Sequence, residues 1–162
     1  MIKIKKATTK DQDILLIFTH LLHMYESKIE KTDKLDKKAI KDDIDTIIYG
    51  LKDKKVFFYL AYDNKMPIGY CKMKIKKIND EIMGHLGATF ILEKFRGLGA
   101  GKKLYLAMVK TLKQKKINKF SLEVYKTNKL SINVHKKLGF KVIGEGSNKK
   151  LYRMEKTLWS ST

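Results

Sequence analysis

The sequence has one cysteine, one proline and only two arginines, Arg96 and Arg153. Cys71 has no partner for an internal disulfide, which fits a reducing compartment. Pro67 stands alone, so no proline-rich linker divides the chain. No window approaches the roughly 18 apolar residues of a membrane-spanning helix. The longest apolar run, around Val56 to Tyr62, has the length of a buried strand. Met1-Ile2-Lys3-Ile4-Lys5-Lys6 alternates apolar and basic residues and lacks the apolar stretch of a signal peptide. The expectation is a soluble cytoplasmic protein with no membrane partner.

Lysine is abundant. The formal charge is +19, nearly all of it from lysines spread from end to end. Such a field attracts polyanions. Bidentate reading of guanine favours arginine, however, and a DNA reader clusters its basic residues on one element. A solvated lysine surface is therefore favoured over a nucleic-acid partner. At 162 residues and 43% hydrophobic content, the chain is expected to form one folded domain, 1–162.

Periodicity gives the elements. Residues 2–7 alternate like a strand, and Thr9-Lys10-Asp11-Gln12 has the form of a capping box opening a helix. Ile14, Phe18, Leu21, Leu22 and Tyr25 recur at helical spacing, as do Ile40, Ile44, Ile47, Ile48 and Leu51. Residues 56–62 and 68–76 read as a hairpin, with Gly69, Cys71, Met73 and Ile75 facing the core and Tyr70 and three lysines on a wet face. Residues 83–92 form a strand running into a glycine-rich segment, followed by a helix with Leu104, Ala107, Met108, Thr111 and Leu112 on its core side. A strand at 120–125, a short helix stopped by Gly139, and strands at 140–143 and 151–158 complete the order βααβββαβαββ. The expected fold is α/β (α+β): a mixed sheet flanked by helices.

A strand that turns through glycines into a helix gathers unpaired backbone N–H groups and the positive end of the helix dipole at one point, which suits phosphate. Gly97, Gly99 and Gly101 offer positive φ and close backbone approach. A P-loop would need glycine at position 96 and Ser or Thr at 103, where Arg96 and Lys103 stand. The dinucleotide fingerprint would need glycine at 102, where Lys102 stands.

Arg96-Gly97-Leu98-Gly99-Ala100-Gly101 instead resembles the acyl-CoA loop of the GNAT superfamily of N-acetyltransferases, (Arg/Gln)-x-x-Gly-x-(Gly/Ala). A second signature of that family resembles the run from Asn128 through Ser131 and His135 to Gly139-Phe140, with His135 replacing the usual tyrosine. Glu93 stands where relatives commonly have proline. The resemblance implies a mostly antiparallel central sheet and acetyl-CoA as cosubstrate, with no metal. It places the pyrophosphate on the loop from Arg96 to Lys102, the pantetheine arm along Thr89, Phe90 and Ile91, and further contacts at Asn128 and His135. Many relatives are dimers, so a homodimer is an expectation.

Acetyl transfer to an amine needs a proton acceptor, a stabilised oxyanion and a proton for the leaving thiolate. By resemblance, Glu123 is the narrowly favoured base, with His85 and Glu81 as alternatives. His135 is the expected hydrogen-bond donor to the thiolate, since even its neutral ring keeps one N–H. His20 and His23 lack partners with metal-ligand spacing, and a solvent or acceptor-groove position is expected for them. Tyr25 and Glu26 lie where relatives often build the acceptor pocket. The acceptor is expected to be a primary amine of a small molecule, peptide or protein. The stretch Asp13 to Asp43 has a faint likeness to polyamine acetyltransferases, which the +19 charge opposes unless an acidic pocket overrides it. The competing reading is a non-catalytic acyl-CoA sensor or nucleic-acid-docking module on the same fold.

Overall fold

Alternating and continuous apolar runs become seven strands in the computed structural model, which describes residues 1–31 and 35–160. Residues 32–34, within the stretch Asp13 to Asp43, lie outside the described residues. The strands are β1 (Ile2–Lys6), β2 (Val56–Asp63), β3 (Met66–Ile78), β4 (Glu81–Ile91), β5 (Lys119–Tyr125), β6 (Lys141–Glu145) and β7 (Leu151–Thr157). The helices are α1 (Gln12–Ile29), α2 (Lys37–Gly50), α3 (Ala100–Gln114) and α4 (Lys129–Lys137). Their succession is the expected βααβββαβαββ, with short 3-10 turns at Thr9–Asp11 and Glu93–Phe95.

One sheet runs β1-β2-β3-β4-β5-β7-β6, and every neighbouring pair is antiparallel except β4 with β5. Helices α1 and α2 cover one face, where Leu15, Phe18 and Ile47 pack on Phe58, Leu60, Tyr70 and Phe90. On the other face Leu104, Met108 and Leu112 of α3 meet Phe57, Met73, Phe120, Leu122 and Met154. Among the described residues, no helix is long and apolar enough to cross a membrane.

Two local expectations need correction. The capping interaction centres one residue earlier than Thr9: the Thr8 N–H and hydroxyl both donate to Asp11 Oδ2, at 2.8 and 3.1 Å. More consequentially, β3 has no wet face along its middle. Tyr70 and Lys72 are buried, because α1 and α2 lie over the side that alternation assigns to solvent. A sheet covered on both faces loses the period-two polarity from which exposure is read.

Candidate functional site

The glycine segment turns as its composition requires. Gly97 and Gly99 have φ of 77° and 90°, a region costly for residues with a Cβ. Gly101 does not. It sits in the first turn of α3 with nothing within 4 Å of a Cβ built on it, so its glycine leaves open space rather than permitting a turn. Gly99 is the N-cap and contributes no capping side chain. The first intrahelical bond runs from Lys103 N–H to the Gly99 carbonyl at 3.1 Å, leaving the earlier amides to point out of the helix end. Arg96 reaches back along β4: its Nε–H donates to the Ile91 carbonyl at 3.0 Å, and its guanidinium lies 4.7 Å from the Tyr25 ring centre.

Beside this turn the sheet opens. β4 and β5 pair only at Gly84–Phe120, His85–Ser121 and Leu86–Leu122. β3 keeps its hold on β4 as far as Ile91, but the register steps from Met73–Leu86 to Lys72–Ala88 and leaves Gly87 as a bulge. From Gly87 to Ile91 the β5-facing edge of β4 has no strand partner among the described residues. A cleft of about 630 Å³ fills the gap. Of the residues expected at the site, it is lined by His85, Thr89, Phe90, Ile91, Arg96, Gly101, Lys102, Glu123, Asn128 and His135. Gly97, Leu98, Gly99 and Ala100 form the turn at its border, with Leu98 exposed and Ala100 buried beneath the helix.

Asn128 is the N-cap of α4, its Oδ1 accepting from Ser131 N–H at 3.0 Å. The helix ends in a Schellman motif: Phe140 N–H bonds the His135 carbonyl, Gly139 N–H bonds that of Lys136, and Gly139 takes φ 91°. The motif fixes His135 against Phe140, with ring centres 5.7 Å apart and perpendicular. The Nδ1–H of His135 donates to the Ser131 carbonyl at 2.8 Å, and burial lowers the pKa of the ring. In the neutral ring this is the only N–H, so Nε2 is an acceptor.

His85 has a similar arrangement. Its Nδ1–H donates to the Ser121 hydroxyl at 2.8 Å, and Ser121 donates onward to the Gly84 carbonyl. Burial, then the charges of Lys76, Lys74, Lys72 and Arg153, bring its pKa down to about 4, leaving a neutral ring with a bare Nε2. Glu123 accepts from both the N–H and the hydroxyl of Ser147, at 2.6 and 2.8 Å, and so pins the turn between β6 and β7. Glu81 is exposed at the start of β4, paired with Lys119, and does not line the cleft.

The α1 wall contributes Leu22, Tyr25 and Glu26. His20 faces solvent, whereas His23 is buried with Nε2 3.0 Å from Asp43 Oδ2 of α2. Asp43 also accepts from the buried Lys72 ammonium of β3. Asp43 and Lys72 escape a reading of the sequence, because 29 residues separate them and neither belongs to a motif. Tyr125, at the end of β5, also lines the cleft. Its only sequence signal is its place just before Asn128.

The sheet, its parted strands and the adjoining glycine turn define an acetyltransferase-class fold. The Acetyltransferase (GNAT) family profile matches residues 18–140, and the chain belongs to that family. It is 31% identical over 102 residues to an N-alpha-acetyltransferase of Sulfurisphaera tokodaii, a match covering 57% of this chain and 61% of that relative's length. Among solved structures, the PaiA N-acetyltransferase of Thermoplasma acidophilum, in complex with coenzyme A, superposes with a TM-score of 0.74 at 21% identity, covering 97% of this chain and 99% of that one. A GNAT-family acetyltransferase of Staphylococcus aureus superposes with a TM-score of 0.79 at 18% identity, covering 98% and 100%. These two likenesses establish the fold.

Proposed function

We propose that the protein transfers acetyl from acetyl-CoA directly to a primary amine of a small molecule, peptide or protein. The observation that carries this reading is the cleft formed where β4 leaves β5 beside the amides of the glycine turn. The pyrophosphate meets the α3 N-terminus, with Arg96, Gly97, Leu98, Gly99, Ala100, Gly101 and Lys102 around it. The pantetheine arm takes the place of a strand along Thr89, Phe90 and Ile91, bonding the free edge of β4, and a β4 amide holds the developing oxyanion. Asn128 and His135 line the α4 side of the arm.

The neutral His85 ring accepts a hydrogen bond from the incoming amine through Nε2. Glu123 holds the β6–β7 turn at the rim, since both its oxygens already accept from Ser147. The neutral His135 ring positions the arm by packing, because its only hydrogen is bonded to Ser131. The thiolate then takes its proton from the attacking nitrogen. Among acceptors, the likeness to an N-alpha-acetyltransferase favours the α-amino group of a peptide.

Calorimetric titration with acetyl-CoA and CoA tests the cofactor. Acetylation of a tetrapeptide with a free α-amine, compared with free lysine and 1,5-diaminopentane, tests the reaction. Binding with turnover is expected; binding without turnover would leave an acyl-CoA-sensing module, and no heat or thermal shift would reject the reading.

A further inference from the structure

A lysine in the middle of a sheet covered on both faces needs a physical account. Lys72 is 8% exposed, and burying a lone ammonium costs more than a fold readily supplies. Its stem passes across the bulge on β4: a Cβ built on Gly87 would stand 2.7 Å from Lys72 Cε. Its ammonium donates to Asp43 Oδ1, and Asp43 Oδ2 lies 3.0 Å from His23 Nε2. The other ring nitrogen of His23 lies 3.9 Å from Glu26 Oε2. Glu26 is the end of this chain that reaches the cleft. Four groups from β3, α2 and α1 therefore run in line from the β4 bulge to a carboxylate on the α1 wall.

The charges are ordered as well. Asp43 draws a proton onto His23, raising its pKa, and is itself held down to about 2 with the help of His23 and Lys72. The Lys72 ammonium and the His23 ring thus alternate with the Asp43 and Glu26 carboxyl groups. Buried ion pairs of this kind add little net stability compared with apolar packing, so rigidity and orientation are what the arrangement supplies. The groups facing Glu26 are His23 on α1, Glu30 just past the end of α1, Asp43 on α2 and Lys72 on β3. Across the cleft Tyr125 of β5 feels its charge. Burial raises the pKa of Glu26 from its ordinary value, which makes the carboxylate a stronger base.

We infer that Glu26 receives the acceptor ammonium and takes its proton, and that the buried His23–Asp43–Lys72 relay positions the Glu26 carboxylate for that step. The inference rests on the acetyl-transfer reading above. An ammonium proton passes to the Glu26 carboxylate, giving a carboxylic acid and a neutral amine. The amine lone pair forms the C–N bond to the thioester carbonyl carbon. The C–S bond breaks, and its electron pair leaves with sulfur. The extra proton on the attacking nitrogen neutralises the thiolate, and Glu26 returns its proton to solvent.

The test measures kcat/KM from pH 5.5 to 9 for the best acetylated of the tetrapeptide, free lysine and 1,5-diaminopentane, alongside the acetyl-CoA Kd by calorimetry. Glu26→Gln is expected to lower kcat/KM about 100-fold or more and to flatten the acid limb, with the acetyl-CoA Kd within about twofold of wild type. Glu26→Asp, which keeps the charge, recovers part of the rate and preserves the limb. His23→Gln keeps a donor to Asp43 but removes the imidazolium that favours ionised Glu26. It is therefore expected to move the acid limb to higher pH, which damage to packing alone would not do. Wild-type kcat/KM in Glu26→Gln, or an unmoved limb in His23→Gln, would overturn the inference alone. Absence of acetyl-CoA binding or of turnover by the wild type would overturn the acetyl-transfer reading, and this inference with it.

Discussion

The Arg96 guanidinium lies 4.7 Å from the Tyr25 ring centre while its Nε–H holds the Ile91 carbonyl at 3.0 Å. One side chain thus joins α1, the end of β4 and the glycine turn, and its remaining N–H groups stay available for phosphate. A lysine could keep the charge but not the planar fork that makes both contacts. Arg96→Lys is expected to raise the acetyl-CoA Kd about tenfold, or about 1.4 kcal/mol, by calorimetric titration. An unchanged Kd would remove Arg96 from the cofactor site.

Acid should loosen the protein through His85. Its folded-state pKa of about 4 lies below the ordinary 6.5, so between these values the unfolded chain binds a proton that the folded chain refuses. The contribution is complete above pH 6.5 and is lost as pH falls toward 4. His23 has the opposite sign: its pKa is raised, so its contribution is present below 6.5 and is lost as pH rises through the raised value. Urea unfolding of wild type and His85→Asn at pH 6.5 and 4 separates the two. Wild type is expected to lose up to about 3 kcal/mol more than the variant across that interval.

The bonds from Ser147 to Glu123 make a thermodynamic cycle informative. Each single substitution, Glu123→Ala and Ser147→Ala, is expected to cost about 1 kcal/mol, while the double variant costs less than their sum. Strict additivity in chemical denaturation would mean that the two side chains do not hold each other in solution.

His135 gives a sharper kinetic expectation than its sequence position does. His135→Phe keeps the packing on Phe140 and removes a neutral ring whose one N–H is already given to the Ser131 carbonyl. The maximal rate at pH 8 is expected to stay within about threefold of wild type, whereas loss of a true proton donor costs roughly 100-fold or more. A collapse of the rate at that pH would restore the donor role.

The parts legible in the sequence are those whose cause is local. Positive φ at Gly97 and Gly99 and the glycine stop at Gly139 each follow from a residue type and its near neighbours. Gly101 sits in the same run for a different reason, open space, which composition does not distinguish. Alternation assigns Lys72 to solvent, yet it lies buried, because the partners that justify it come from α1 and α2. The same holds for the chemistry. Glu123 occupies the expected strand position, but only the folded β6–β7 turn brings Ser147 to both its oxygens.

The short ladder between β4 and β5 also makes the sheet two panels joined by a seam. On one side four strands are paired, on the other three, and the join is a parallel stretch from Gly84 to Leu86, weaker per residue than its antiparallel neighbours. A pull between the edge strands β1 and β6 loads that seam in series with every other strand pair. The molecule's mechanical weak point therefore borders the proposed cofactor cleft, and a ligand laid along the free edge of β4 would be the stitch that lets the two panels bear force together.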